Sequence, residues 1–159
     1  MPVTLEGSCR CGAVSFTLDS HTPVPYQLCY CTICRKTAGG GGYAINIMGN
    51  AETLVVKGET ATYRAKLHSD DGKTKTSSGR RHFCPSCGSA LWMADPSWPD
   101  LVHPFASAID TPLPVAKEKV HLMLKFKASW VEPSIGPKDA SFDEYPTESI
   151  EDWHRKRAL

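Results

Sequence analysis

Cys29-Tyr30-Cys31-Thr32-Ile33-Cys34 packs three thiols into six residues, and the fold is decided by what those thiols do. Two further clusters flank it: Cys9-Arg10-Cys11 upstream, and Cys84-Pro85-Ser86-Cys87-Gly88 downstream. The chain holds seven cysteines, none beyond Cys87. An odd number leaves one thiol over in any disulfide framework, and such frameworks belong mostly to secreted chains. Pairs separated by one or two residues suit a tetrahedral ion instead, because both sulfurs reach it from a single turn. Gly88 after the last pair lets the chain turn beneath the thiolates without a side-chain clash. Three such clusters predict bound zinc. Spacing alone leaves the partition open, since Cys29 and Cys31 can as well share an ion with Cys84 and Cys87.

The rest of the chain is that of an ordinary soluble domain. Its 159 residues are 41% hydrophobic and 22% charged, enough for a core that does not depend on metal merely because the chain is short. A formal net charge of +1 gives no general attraction to nucleic acid or to an anionic membrane. No apolar run approaches the roughly 18 residues of a membrane span. Met1-Pro2-Val3-Thr4-Leu5-Glu6 has neither the basic start nor the apolar centre of a secretory signal. The expected setting is the reducing cytoplasm, where thiols stay free or bind metal.

Secondary-structure signals point to short strands. Val14, Phe16 and Leu18 alternate with smaller or polar residues, which predicts a half-buried strand over 12–18. Segments 43–48, 53–57, 61–65 and 119–125 read the same way between Gly, Asn and Pro signals. Twelve glycines and twelve prolines spread along the chain argue against long helices. Two short ones are expected. One starts near Thr32 and carries Cys34, Arg35 and Lys36; the other spans 149–157, with Glu151 and Asp152 early and Arg155, Lys156 and Arg157 late, complementing the helix dipole. The expectation is one mainly-β domain over 1–159, with a core of about 3–131 and a strap and helix over 132–159.

Three segments then point to a family. Gly7-Ser8-Cys9-Arg10-Cys11-Gly12, Cys29-Tyr30-Cys31-Thr32-Ile33-Cys34-Arg35-Lys36 and Arg81-His82-Phe83-Cys84-Pro85-Ser86-Cys87-Gly88-Ser89 resemble the glutathione-dependent formaldehyde-activating enzymes, a family that includes centromere protein V. Ala108-Ile109-Asp110, Ser129-Trp130 and the ending around Asp143-Glu144-Tyr145-Pro146, Ser149, Trp153 and His154 are similar to its later segments. The resemblance implies a β-tent fold of antiparallel sheets with two zinc ions. It implies a structural zinc on Cys9, Cys11, Cys84 and Cys87, and a second, catalytic zinc on Cys29, Cys31 and Cys34. Four thiolates close a tetrahedron and three leave a position open. The implied activity is carbon–sulfur bond formation between glutathione and formaldehyde, a lyase reaction run in reverse. The alternatives are a zinc enzyme with another small-molecule substrate, or a non-catalytic zinc scaffold.

Individual residues carry paired readings. Arg35 and Lys36 are candidates to grip the glutathione carboxylates, or else form a solvated helix face. Gly39-Gly40-Gly41-Gly42 either admits a ligand close to the backbone or makes a turn between helix and strand. Tyr30 stands where many members of the family carry histidine. Any of the six histidines, with His82 nearest a cluster in sequence, can in principle complete the three-thiolate site. Asp110 is a ligand-orienting acid or base, or a turn residue before Thr111-Pro112. The tryptophans read as anchors of the core and strap. Arg80 and Arg81 are too small a basic patch to argue for nucleic acid.

Overall fold

Alternation along the first hairpin sets the core. In the computed structural model, which describes residues 2–159, β1 (Val3–Ser8) buries Leu5 and β2 (Ser15–Ser20) buries Phe16 and Leu18, each at most 2% exposed. The chain continues through β3 (Gln27–Cys29), α1 (Thr32–Ala38), β4 (Ala44–Asn46), β5 (Gly49–Asn50), β6 (Val55–Lys57) and β7 (Ala61–Tyr63). Its second half contains β8 (Lys66–His68), β9 (Thr74–Thr76), β10 (Arg80–Phe83), β11 (Ala90–Ala94), β12 (Leu101–Pro104), β13 (Val120–Leu122), β14 (Ala140–Ser141) and α2 (Ile150–Lys156). The fold is mainly β, with two short helices, one of them at the C-terminus.

Four sheets result. Strands β1-β2-β6 form one, β5-β12-β11-β10-β7 a second, β14-β13-β3-β4 a third, and β8-β9 a ribbon. Pairing is antiparallel except in the third sheet, where β13 runs parallel to both β3 and β14. The long connection from β3 to β13 makes that parallel pairing possible, and short-range patterning gave no sign of it. The first two sheets pack through Leu5, Val14, Phe16, Leu18, Leu91, Trp92 and Val102, with Phe16 meeting Trp92 edge-on at 5.0 Å. Burying each such side chain contributes about 1.5–3 kcal/mol. A smaller cluster of Ala44, Phe105 and Leu122 surrounds Cys29 and Cys34.

The expected 53–57 and 119–125 strands are shorter than the patterning suggested. Ala51–Thr53 and Leu124–Phe126 are single 3-10 turns, the first capped by the Asn50 side chain. The expected C-terminal helix starts where the Ser149 hydroxyl accepts from Asp152 N–H at 3.0 Å. It docks through Trp153, with the Arg157 guanidinium stacked 4.0 Å from the Trp153 ring centre and paired to Glu118. No helix among the described residues is long and apolar enough to cross a membrane.

Candidate metal centres

The cysteines fall into two clusters whose members share no residue: Cys9, Cys11, Cys84 and Cys87 in one, Cys29, Cys31 and Cys34 in the other. Within each, the sulfurs all lie within 4.8 Å of one another. The first cluster sits where two hairpin turns meet, one between β1 and β2 and one between β10 and β11. It therefore links the three-stranded sheet to the five-stranded one. Gly12 (φ +83°) and Gly88 (φ +77°) follow the second cysteine of each turn in the left-handed conformation that glycine adopts without strain. Gly88 N–H closes its turn on Cys84 C=O at 2.8 Å.

The sulfur spacing fits zinc. Cys9 Sγ lies 3.6 Å from Cys11 Sγ, which lies 3.8 Å from Cys84 Sγ. A tetrahedron of zinc–sulfur bonds of about 2.3 Å has an edge of about 3.8 Å, whereas a disulfide needs about 2.05 Å. All seven thiols are free. Backbone Val14 N–H donates to Cys9 Sγ at 3.2 Å, and Ser89 Oγ lies 3.2 Å from Cys87 Sγ. The Ser89 hydroxyl, with its backbone, pulls the Cys87 thiol down to about 5.

The second cluster is built almost within one turn of chain. Cys29 ends β3, held between Leu122 of β13 and Ala44 of β4. Cys31 caps α1, and its sulfur accepts from Cys34 N–H at 3.3 Å. Cys34 lies in the first turn of α1. Cys29 and Cys34 are buried and Cys31 is half-buried. No histidine, aspartate or glutamate joins this cluster among the described residues. The six histidines lie elsewhere: His82 is bonded to Thr60, His68 to Thr74, His103 to Ile47 C=O, His154 to Val24 C=O and His121 to Tyr30 and Asp139, while the His21 ring packs on that of His154.

The residue brought to the trio from outside is Arg81. It is 8% exposed, and its Nη1 and Nη2 donate to Cys34 Sγ at 3.5 and 3.6 Å. A buried guanidinium needs such a partner, because desolvating it alone costs several kcal/mol. Nothing in Arg80-Arg81-His82-Phe83 singled it out; in the structure β10 buries Arg81 and leaves Arg80 exposed. Tyr145, on the strap, is 75% exposed but feels the charge of the trio. Desolvation of its phenol, then the charges of Cys31, Cys29 and Cys34, raise it above the ordinary phenol value.

A cleft of about 350 Å³ is lined by Thr37, Tyr63, Arg81, Phe83, Gly88, Ala90 and Phe105 among others, and Arg81 connects it to the trio. Helix α1 contributes Thr37 to it; Lys36 is exposed and Arg35 half-buried. The glycine run serves packing, since a Cβ at Gly42 would stand 2.3 Å from Val131 Cγ2. Asp110 accepts from the Ser8 hydroxyl at 2.5 Å and belongs to a β1 contact. Trp92 and Trp153 are core anchors as expected, but Trp130 is 66% exposed.

Proton bookkeeping within the trio is unequal. Hydrogen bonds from Cys29 and Cys34, then backbone N–H groups of Cys34 and Ile33, hold Cys31 far below the ordinary thiol range. Cys29 is pushed up by its bonds to Cys31 and Cys34 and by burial. For Cys34 the Cys29 bond pulls down, Cys31 and burial push up more strongly, and Arg81 pulls down again. The surroundings thus favour the thiolate form most at Cys31 and the thiol form at Cys29 and Cys34, and thiols that bind a cation give up their protons to it. Metal binding at the trio is expected to release about two protons per ion, so affinity rises with pH. Calorimetry in buffers of different ionisation enthalpy measures that number; a value near zero contradicts it.

The chain is similar to known proteins over most of its length. The sequence profile of the family "Glutathione-dependent formaldehyde-activating enzyme" matches residues 4–125. A curated Halomonas elongata protein bearing the same family's name is 57% identical over 157 residues, covering 98% of this chain and 97% of its own. A crystal structure of a Rhodobacter sphaeroides protein superposes with a TM-score of 0.48 at 21% identity, over 69% of this chain and 91% of that one. With most of its length matched by the family profile and nearly all of it by the relative, the chain belongs to the glutathione-dependent formaldehyde-activating enzyme family.

Proposed function

We propose that the chain is a two-zinc enzyme that joins the glutathione thiol to formaldehyde, with Cys9, Cys11, Cys84 and Cys87 holding a structural ion and Cys29, Cys31 and Cys34 a catalytic one. The reading is carried by the donor count: the trio has three sulfurs and no fourth protein ligand among the described residues, and Arg81 on Cys34 also lines a cleft large enough for a small molecule. A zinc ion held by Cys29, Cys31 and Cys34 would supply a position for a substrate thiol and favour its thiolate form.

The chain's own residues do the rest. Three thiolates and a divalent ion carry one net negative charge, which opposes a fourth thiolate. Arg81, buried on Cys34, offsets that charge where the substrate sulfur arrives. In the reaction a carbon–sulfur bond forms, the carbonyl π bond breaks, and the proton lost by the thiol ends on the new hydroxyl. Tyr145, on the strap, is the candidate to deliver it to the aldehyde oxygen. Arg35 and Lys36 at the end of α1 remain the candidates for the outlying glutathione carboxylates.

Magnitudes limit what thiol ionisation does. A free thiol with a pKa of about 8.5 is already roughly 3% thiolate at pH 7, so ionisation alone gains at most about 30-fold. Lowered basicity takes part of that back. Any larger acceleration comes from holding the thiolate against the aldehyde. Exchange NMR of glutathione with formaldehyde tests the proposal. Exchange should be faster with the protein than without it, and the gain should vanish in Cys31→Ser. Equal exchange rates with and without the fully metal-loaded protein would sink it.

A further inference from the structure

Tyr30, between Cys29 and Cys31, has no part in the proposed reaction, yet its surroundings are highly organised. It is 1% exposed, and its hydroxyl lies 2.9 Å from His121 Nδ1. His121 is 0% exposed, and its Nε2 lies 2.9 Å from Asp139 Oδ2. The same carboxylate accepts from Gly136 N–H at 3.0 Å and, through Oδ1, from Lys119 N–H at 2.9 Å. Every polar atom in this buried chain therefore has a partner, as burial requires. The direction follows from the inventory. A carboxylate only accepts, so Nε2 carries the proton toward Asp139; in the neutral imidazole Nδ1 then offers its lone pair, and the Tyr30 hydroxyl donates to it.

The chain runs from the strap to the trio. Tyr30 N–H donates to Leu122 C=O at 3.1 Å, so β13 holds both its main chain and, through His121, its side chain. Cys29 and Cys31 flank it directly, so a displacement of Tyr30 moves both sulfurs. A phenylalanine would fill the same space, and the hydroxyl costs desolvation unless it is paired. Its presence, paired through two more buried side chains, therefore calls for a positional explanation.

We propose that Tyr30, His121 and Asp139 form a hydrogen-bonded positioning relay through which the strap sets the placement of the Cys29 and Cys31 sulfurs at the second metal centre. The proposal rests on the two-metal reading above. None of the three touches a reacting atom. Outer partners of this kind typically change metal affinity by about 10–100-fold.

The test uses the full chain loaded with Co²⁺, comparing the parent with Tyr30→Phe, Asp139→Asn and the double variant. The second site's absorption is the part missing from Cys31→Ser. Tyr30→Phe should keep its fold and first-site affinity, lose about 10-fold in second-site affinity by chelator competition, and shift the second-site ligand-field bands. Asp139→Asn should lose at least as much, and the double variant no more than Asp139→Asn, since both cuts break one chain. Two bound cobalts with second-site bands and affinity in Tyr30→Phe within roughly twofold of the parent would overturn the relay alone. A single cobalt in the parent would overturn the two-metal reading and the relay with it. Should Asp139→Asn fail to fold, Tyr30→Phe, which loses one hydroxyl, still decides.

Discussion

A Cys84→Ser chain is expected to lose its cooperative fold, while Cys31→Ser keeps it. Cys84 is 0% exposed and belongs to a cluster that joins the β1–β2 turn to the β10–β11 turn across 73 residues of chain. Structural zinc contributes roughly 10–16 kcal/mol in small peptides, as much as the entire net stability of about 5–15 kcal/mol of a typical domain. Losing one of four ligands removes most of that and leaves the two sheets joined mainly by apolar packing, with the Arg10 N–H bond to Ser89 Oγ between the turns. The trio of Cys29, Cys31 and Cys34 lies within six residues, so an ion there ties together chain that is already adjacent. Far-UV circular dichroism with thermal melts, paired with metal content, separates the two variants. Equal collapse of both, or cooperative melting in both with unchanged metal, would show the division of labour to be wrong.

Arg81→Met is expected to lower thiol affinity about 100-fold, since truncating one partner of a buried, hydrogen-bonded charge pair costs roughly 2–5 kcal/mol. It also moves the metal-loading curve of the second site. Arg81 lowers the Cys34 thiol, so its removal raises that thiol and lets protons compete better with the ion. Half-loading should therefore need a higher pH than in the parent. Arg81→Lys keeps the charge but not the two-pronged contact, and should fall between. Metal titrations across pH, with glutathione binding measured at saturating metal, check both parts. An Arg81→Met protein that loads metal and binds thiol as the parent does would remove Arg81 from the site.

Much of the fold could be read from local pattern because it is local. The alternation of Val14, Phe16 and Leu18, the Ser149 cap and the acids and bases of α2 all act within a few residues, and all appear in the structure. The cysteine clusters were legible because metal ligands need close spacing. What stayed hidden depends on contacts between distant segments. The parallel pairing of β3 with β13 joins residues more than ninety apart, and the Tyr30–His121–Asp139 chain exists only once that pairing forms. Arg81 looked like half of a weak basic pair; its role required knowing which face of β10 meets α1. Trp130 read as an anchor because size suggests burial, yet the chain turns it outward.

The central claim is one closed and one open metal centre, and cobalt substitution with glutathione titration tests it most directly. The account predicts two cobalt ions per chain, both with sulfur-to-cobalt charge-transfer bands. Glutathione should perturb only the share of the spectrum that is absent in Cys31→Ser. Two bound ions whose spectrum does not change at saturating glutathione would contradict it.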